Sequence, residues 1–230
     1  IHNIVFRPGS SDELFISSDG GVYYTATAQQ SQPTFYERNK YFNTLQFYSC
    51  DIANDTNSLY LLGGLQDNGS HLYDGSAALS LNTMQSGGDG AFCFFDDDQP
   101  GLYLTSVYYN LWYAYSGGSF YDYVDGNSGL FVNPSDYFSP SNRLVANACN
   151  FFGDYSDYLM IIDNVPDVSI NYTYKKVNTG TNYPFSAVRV SPHSTSGNET
   201  LFLGTGNGEL FKTTNLNGNP ISVDIGSPLF

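Results

Sequence analysis

The chain has 230 residues, long enough to bury a substantial core, and sets 22 Asp and Glu against 8 Lys and Arg for a formal charge of −14. So acidic a surface repels phosphate backbones and anionic lipid heads, which disfavours nucleic-acid binding and adsorption to membranes; it favours solubility, with scattered Asp as the one pointer to bound Ca²⁺. Aromatic residues reach 17%, with 20 Tyr, 17 Phe and 23 Gly, the composition of pleated strands joined by tight turns.

In chain order, Asn3 to Arg7 is predicted to pair with Glu13 to Ser17 across the Pro8-Gly9-Ser10-Ser11-Asp12 turn, and Asp19-Gly20-Gly21 turns into Val22-Tyr23-Tyr24-Thr25. Gln29 to Lys40 is polar, holds Pro33, and reads as a connection around one short strand. Leu45 to Ile52 and Ser58 to Gly63 open a second unit, in which Asp67-Asn68-Gly69 is a strong hairpin signal because its turn type demands positive φ. Gly87-Gly88-Asp89-Gly90 leads into a buried run, Ala91 to Phe95, followed by strands at Leu102 to Val107 and Leu111 to Tyr115. Tyr121 to Asn164 is a divergent fourth unit with strands at Leu144 to Cys149 and Tyr158 to Ile162 around an Asn150 to Asp157 turn. Asn171 to Val177, Phe185 to Val190, Glu199 to Leu203 and Glu209 to Thr213 form the last. No window sustains a 3.6-residue apolar period, and no run of 18 apolar residues is present to span a membrane.

The recurrence of strand, polar turn, strand, glycine turn and aromatic strand is the signature of a β-propeller, whose blades cannot bury their faces alone. The expected fold is all-β: a partial propeller of about four to five blades of four-stranded antiparallel sheets, a fragment of a larger propeller. Residues 1–230 read as one propeller segment, and both ends read as cuts through a longer chain.

Ser17-Ser18-Asp19-Gly20-Gly21-Val22-Tyr23-Tyr24 approximates the Asp-box, Ser-x-Asp-x-Gly-x-Thr-Trp, with Ser17, Asp19 and Gly21 in place. Gly63-Gly64-Leu65-Gln66-Asp67-Asn68-Gly69 and Gly87-Gly88-Asp89-Gly90, with Gly21-Val22-Tyr23-Tyr24 and Leu45-Gln46-Phe47-Tyr48, extend the pattern. As a set and in this order, they resemble the sortilin-like, BNR-repeat propellers of large secreted proteins from Bacteroidetes-type bacteria. That resemblance implies a secreted or cell-surface location, export through type IX secretion machinery, and a binding or structural role, adhesin- or matrix-like, toward a protein or glycan ligand. No cofactor is implied.

The competing expectation is a glycoside hydrolase. Asp19 with Gly20, Gly21 and Tyr23 approaches the Asp-x-Gly-Gly-x-Tyr phrase of xyloglucan-cleaving propellers, and Asp67 and Asp89 sit in glycine turns at comparable points of their units. Inverting hydrolysis needs two carboxylates roughly 6.5 to 9.5 Å apart. Against this, Asp in such turns ordinarily bonds backbone N–H groups, which is the expectation for Asp19, Asp67 and Asp89. Trp112, Tyr113 and Tyr115 are candidates for stacking on a sugar or partner, although alternation along a strand makes them packing residues first. The four arginines, Arg7, Arg38, Arg143 and Arg189, lie in ordinary strand or loop contexts, which disfavours a sialidase, and isolated His2, His71 and His193 match no metalloprotease motif. Cys50, Cys93 and Cys149 lack zinc spacing and read as buried thiols, with a Cys50–Cys93 bridge as the alternative.

Overall fold

The computed structural model describes residues 1–18, 20–40, 45–54, 59–75, 83–99 and 101–226. Among these, five four-stranded antiparallel sheets form, each a meander of strands in sequence order. Blade 1 holds β1 (Asn3–Phe6), β2 (Leu14–Ser18), β3 (Gly21–Thr25) and β4 (Tyr36–Glu37). Blade 2 holds β5 (Phe47–Ile52), β6 (Leu61–Leu65), β7 (Gly69–Tyr73) and β8 (Thr83–Ser86), and blade 3 holds β9 (Cys93–Phe95), β10 (Tyr103–Ser106), β11 (Leu111–Ser116) and β12 (Ser119–Asp125). Blade 4 holds β13 (Ser135–Phe138), β14 (Arg143–Asn147), β15 (Tyr158–Ile162) and β16 (Tyr172–Lys176). Blade 5 holds β17 (Phe185–Val190), β18 (Leu201–Thr205), β19 (Leu210–Thr214) and β20 (Ile221–Asp224). One 3₁₀ turn, Ser139–Ser141, is the only helix among the described residues.

The chain divides into two compact units, Ile1–Gln46 with blade 1 and Phe47–Phe230 with the other four. Two boundaries differ from the sequence expectation. Tyr172–Lys176 pairs with β15 and closes blade 4, rather than opening blade 5, and Ile221–Asp224 supplies the fourth strand of blade 5. The polar β8 and the largely exposed β12 are fourth strands that apolar patterning does not reveal.

Strand parity sorts the cores of the second unit, since alternate side chains face opposite sides of a sheet. Leu104, Trp112 and Ala114 of blade 3 meet Leu144, Ala146, Met160 and Ile162 of blade 4. The intervening Val145, Leu159 and Ile161 point the other way, onto Phe185, Val188, Leu201 and Leu203 of blade 5. Tyr103 and Tyr115, on the other face of blade 3, join Cys93, Phe95 and Leu62. The same parity corrects the expectation for Cys50: its neighbours Ser49 and Asp51 reach blade 3, through Ser49 Oγ to Cys93 N at 3.1 Å and Asp51 Oδ2 to Phe95 N at 2.7 Å, so Cys50 points away and is exposed. Cys93 and Cys149 are buried, and all three thiols are free.

Polar latches cross the seams beside these cores. Asp136 of β13 repeats what Asp51 does, accepting the Val190 N–H of the next blade at 2.6 Å. Arg143 is held by Asp163 at 2.6 Å, by the fully buried Glu199 at 2.7 Å and by Asn217 at 2.8 Å, tying blade 4 to blade 5. Burial pushes the Glu199 carboxyl up, but hydrogen bonds from Ser141 and the Gly197 N–H, with the Arg143 charge, outweigh it and leave it below the ordinary carboxylate range.

Candidate functional site

In a four-stranded meander, strand direction alternates, so the turn between second and third strands opens at the same end as the passage to the next blade. We call this the connection end, and the opposite one, with the other two turns, the hairpin end. In blades 2 to 5 the connection ends are stitched together. Gly69 N bonds Gly88 O at 2.7 Å, Tyr109 N bonds Phe131 O at 3.0 Å, Gly129 N bonds Ala148 O at 3.1 Å, and Phe185 N bonds Asn147 Oδ1 at 3.1 Å. Beneath them Asn110, Asn133 and Asn147, all buried, satisfy one another and the Trp112 indole N–H.

The two glycine-rich motifs meet at this end. The Gly87 to Gly90 segment lies on the β6–β7 turn: Asp67, at φ 58°, donates its N–H to Asp89 Oδ1 at 2.9 Å, and Gly90 N donates to Leu65 O at 2.9 Å. Glycine is required by close approach: a Cβ on Gly90 would collide with the Gly69 carbonyl, and one on Gly69 with the Ser86 carbonyl. The carboxylate expected to bond its own turn thus bonds the neighbouring one. Tyr48 completes the cluster; partial burial and the nearby Asp89 and Asp67 carboxylates push its phenol up. Asp19 lies outside the described residues. Among the described residues no group of three or more His, Cys, Asp and Glu is placed to hold a metal ion.

Of the three aromatic candidates, Trp112 is fully buried against blade 4, Tyr115 is buried in a 4.7 Å stack on Tyr103, and Tyr113 is half-buried in stacked contact with Tyr123. None of the three projects freely. The rings that do were not singled out by the sequence. Tyr108, Tyr109 and Phe131 form a cluster at the connection end of blade 3, with Tyr108 and Phe131 parallel to within 12° and Tyr109 edge-on to both. Phe151 and Phe152, 89% and 87% exposed, stand at the β14–β15 loop of blade 4. That loop is preformed: Asn150 Oδ1 accepts the N–H groups of Phe152 and Asp154, both at 3.0 Å, and its Nδ2 donates to Asp154 Oδ2 at 3.0 Å. Tyr155, half exposed, stacks on Tyr174 at 4.9 Å beside it. An Asn followed four residues later by Asp was the available signal for this capped loop.

No protein-family model and no curated protein sequence matches the chain. Among solved structures, an ancestral GH74 enzyme aligns over 95% of this chain with a TM-score of 0.54 and 14% identity. A BBS1N chain, solved in complex with ARL6DN and soaked with lead, aligns over 93% with a TM-score of 0.48 and 7% identity. The chain spans 31% of the first protein's length and 64% of the second's. At 14% identity the first likeness speaks to architecture alone: with its five four-stranded antiparallel sheets, the chain is an all-β protein with the fold of a β-propeller.

Proposed function

We propose that the chain is a rigid, non-catalytic binding module of a secreted or cell-surface protein, adhesin-like in role, which docks a protein partner on the connection end of blades 3 and 4. The observation that carries this reading is the Phe151–Phe152 pair, held out of the core on a hydrogen-bonded loop. Exposed phenyl rings cost solubility, and a loop already fixed loses little further entropy when a partner covers them. Tyr and Phe are the residues enriched at interfaces, and the exposed Tyr108, Tyr109, Phe131 and Tyr155 share this end. The charge of −14 favours a partner whose apolar surface is rimmed by basic side chains. The sortilin-like, BNR-repeat affinity, the extracellular location and a type IX export route belong to the same proposal, resting on the motif order.

The test is surface plasmon resonance of the chain, and of F151A/F152A, over purified extracellular-matrix proteins. Binding that weakens about tenfold in the double variant, at unchanged melting temperature, supports the reading. Equal binding by both proteins counts against it.

A second reading, glycoside hydrolysis, has one observation of its own. Asp67, Asp89 and Tyr48 converge at the same end, in a fold similar to that of an ancestral GH74 enzyme. Release of reducing sugar from xyloglucan or host glycans that disappears in D67N or D89N would establish it in place of the first.

A further inference from the structure

At the hairpin end, away from the surface just described, turns of blades 3, 4 and 5 border a groove of about 440 Å³, within the range of small-molecule sites. They are the β9–β10 turn with Asp97, the β13–β14 turn with Ser139 and Pro140, and the β17–β18 turn with Pro192. The first two are tied together, since Ser139 Oγ accepts the Asp97 N–H at 2.9 Å. Arg189 and its cross-strand partner Phe202 line the groove from blade 5.

Hydrogen bonding singles out one carboxylate among those in and around the groove. Asp136 accepts the Val190 N–H at 2.6 Å and Arg189 Nη1 at 2.9 Å. Asp96 Oδ1 accepts the N–H groups of Asp98 and Gln99, and its Oδ2 the Tyr137 hydroxyl. Asp51 accepts the N–H groups of Ile52 and Phe95 at 2.9 and 2.7 Å. Asp97 alone of the four is exposed, and its carboxylate makes no hydrogen bond or ion pair among the described residues. Partial burial, with the Asp96 and Asp98 charges, pushes it up, as befits a carboxylate lacking a counter-charge.

The opposite charge is open as well. The Arg189 side chain is 72% exposed and spends a single N–H on Asp136, which leaves the rest of its planar fork of donors free. The Asp51 carboxyl is pushed up chiefly by burial, but it also feels both open charges, raised by Asp97 and lowered by Arg189, which puts the two at one locus. Phe202, Pro140 and Pro192, all exposed, give the same groove apolar surface. A simple anion would meet Asp97 there, and a simple cation Arg189; a molecule carrying both charges satisfies both.

We propose that this groove binds a small zwitterion of amino-acid type, its carboxylate on the open edge of the Arg189 guanidinium, its ammonium on Asp97 and an apolar side chain against Phe202 and Pro192. The bidentate match of guanidinium to carboxylate supplies orientation as well as attraction. A free amino acid and a dipeptide share this chemistry and differ in the spacing of their charges. The site lies at the opposite end of the blades from the protein-docking surface, and neither needs the other to be correct.

The experiment is calorimetric titration of the whole chain with leucine, phenylalanine and the dipeptide Leu-Leu, and with N-acetylleucine and leucinamide, which lack the ammonium and the carboxylate respectively. Saturable binding of at least one zwitterion is expected, about tenfold or more tighter than either blocked form. Stronger binding of Leu-Leu would assign the site to peptide ends, and stronger binding of leucine or phenylalanine to free amino acids; either supports the proposal. Arg189→Gln should weaken the zwitterion about tenfold and remove the penalty for amidation, while Asp97→Asn should do the same for acetylation. Both side chains are exposed, so neither substitution opens the core. F151A/F152A should leave binding unchanged, which separates failure here from failure of the docking surface. No saturable binding of any zwitterion, equal affinity for the blocked forms, or full affinity in either Arg189→Gln or Asp97→Asn would overturn the proposal.

Discussion

Asp89 Oδ1 accepts the backbone N–H of Asp67 at 2.9 Å, so a carboxylate on the strand-to-blade passage holds the hairpin turn that precedes it. Its neighbours, the Gly69 N–H on Gly88 O and the Gly90 N–H on Leu65 O, make the two motifs one interlocked unit. A role in backbone support predicts an asymmetry between substitutions. Asp89→Ala removes the acceptor and should lower stability by about 1 kcal/mol, whereas Asp89→Asn keeps an amide oxygen at Oδ1 and should cost less. Urea denaturation midpoints decide it. Equal losses in the two variants would show that the hydrogen bond is not what Asp89 contributes.

The same interlock makes Gly90 irreplaceable. Alanine there puts a methyl group onto the Gly69 carbonyl and within 2.8 Å of Leu65 N, and backbone on both sides leaves no flexible side chain to yield. We expect Gly90→Ala to destabilise by about 1–3 kcal/mol. Gly87→Ala, whose Cβ would meet nothing within 4 Å, is the control expected to be near neutral. Thermal melts of the pair measure the difference.

The cysteines give a chemical test of strand parity. Cys50 is exposed, while Cys93 is buried behind it and burial pushes its thiol up to about 12. Since the thiolate is the nucleophile, Cys93 should be inert under native conditions. Cys149 is buried too, and burial raises its thiol. Brief treatment with N-ethylmaleimide followed by mass spectrometry should show one adduct, at Cys50, and adducts on the other two thiols only after denaturation. Rapid modification of Cys93 would contradict the packing of blade 2 on blade 3.

What the sequence reveals, and what it hides, follows from where each signal originates. Asp67-Asn68-Gly69 is legible because a tight hairpin requires positive φ, and Asp67 and Gly69 adopt it at 58° and 70°. β12 is hidden because fourth strands bury one face poorly: Phe120, Tyr121 and Tyr123 are exposed, and no alternation marks them. Tyr172–Lys176 reads as the start of a blade because a long connection precedes it, yet hydrogen bonding places it at the end of one. At the site the difficulty is direction. Trp112 and Phe151 are both large aromatic residues, but one falls on the inward parity of a central strand and the other on a loop whose asparagine cap turns it outward. Composition carries no information on that difference.

Glu199 and Asp136 predict opposite pH slopes across one seam. The folded Glu199 carboxyl lies below its ordinary value, so the native state binds fewer protons there than the unfolded chain; its contribution is complete above the unfolded carboxylate range and is lost as pH falls through the folded value. Asp136 is the reverse. Burial pushes it up more than the Val190 N–H and Arg189 pull it down, so its contribution is complete below the unfolded value and is lost as pH rises through the folded one. Glu199→Gln leaves Arg143 buried with Asp163 as its remaining carboxylate, and should destabilise the chain by about 3 kcal/mol at neutral pH while flattening the acid limb. Asp136→Asn retains an acceptor for Val190, gives up only an ion pair to a largely exposed Arg189, and should leave neutral-pH stability unchanged or raised. Denaturation midpoints from pH 3 to 8 measure both, and an acid limb in Glu199→Gln as steep as that of the parent chain would show that the buried glutamate does not carry the acid sensitivity of this seam.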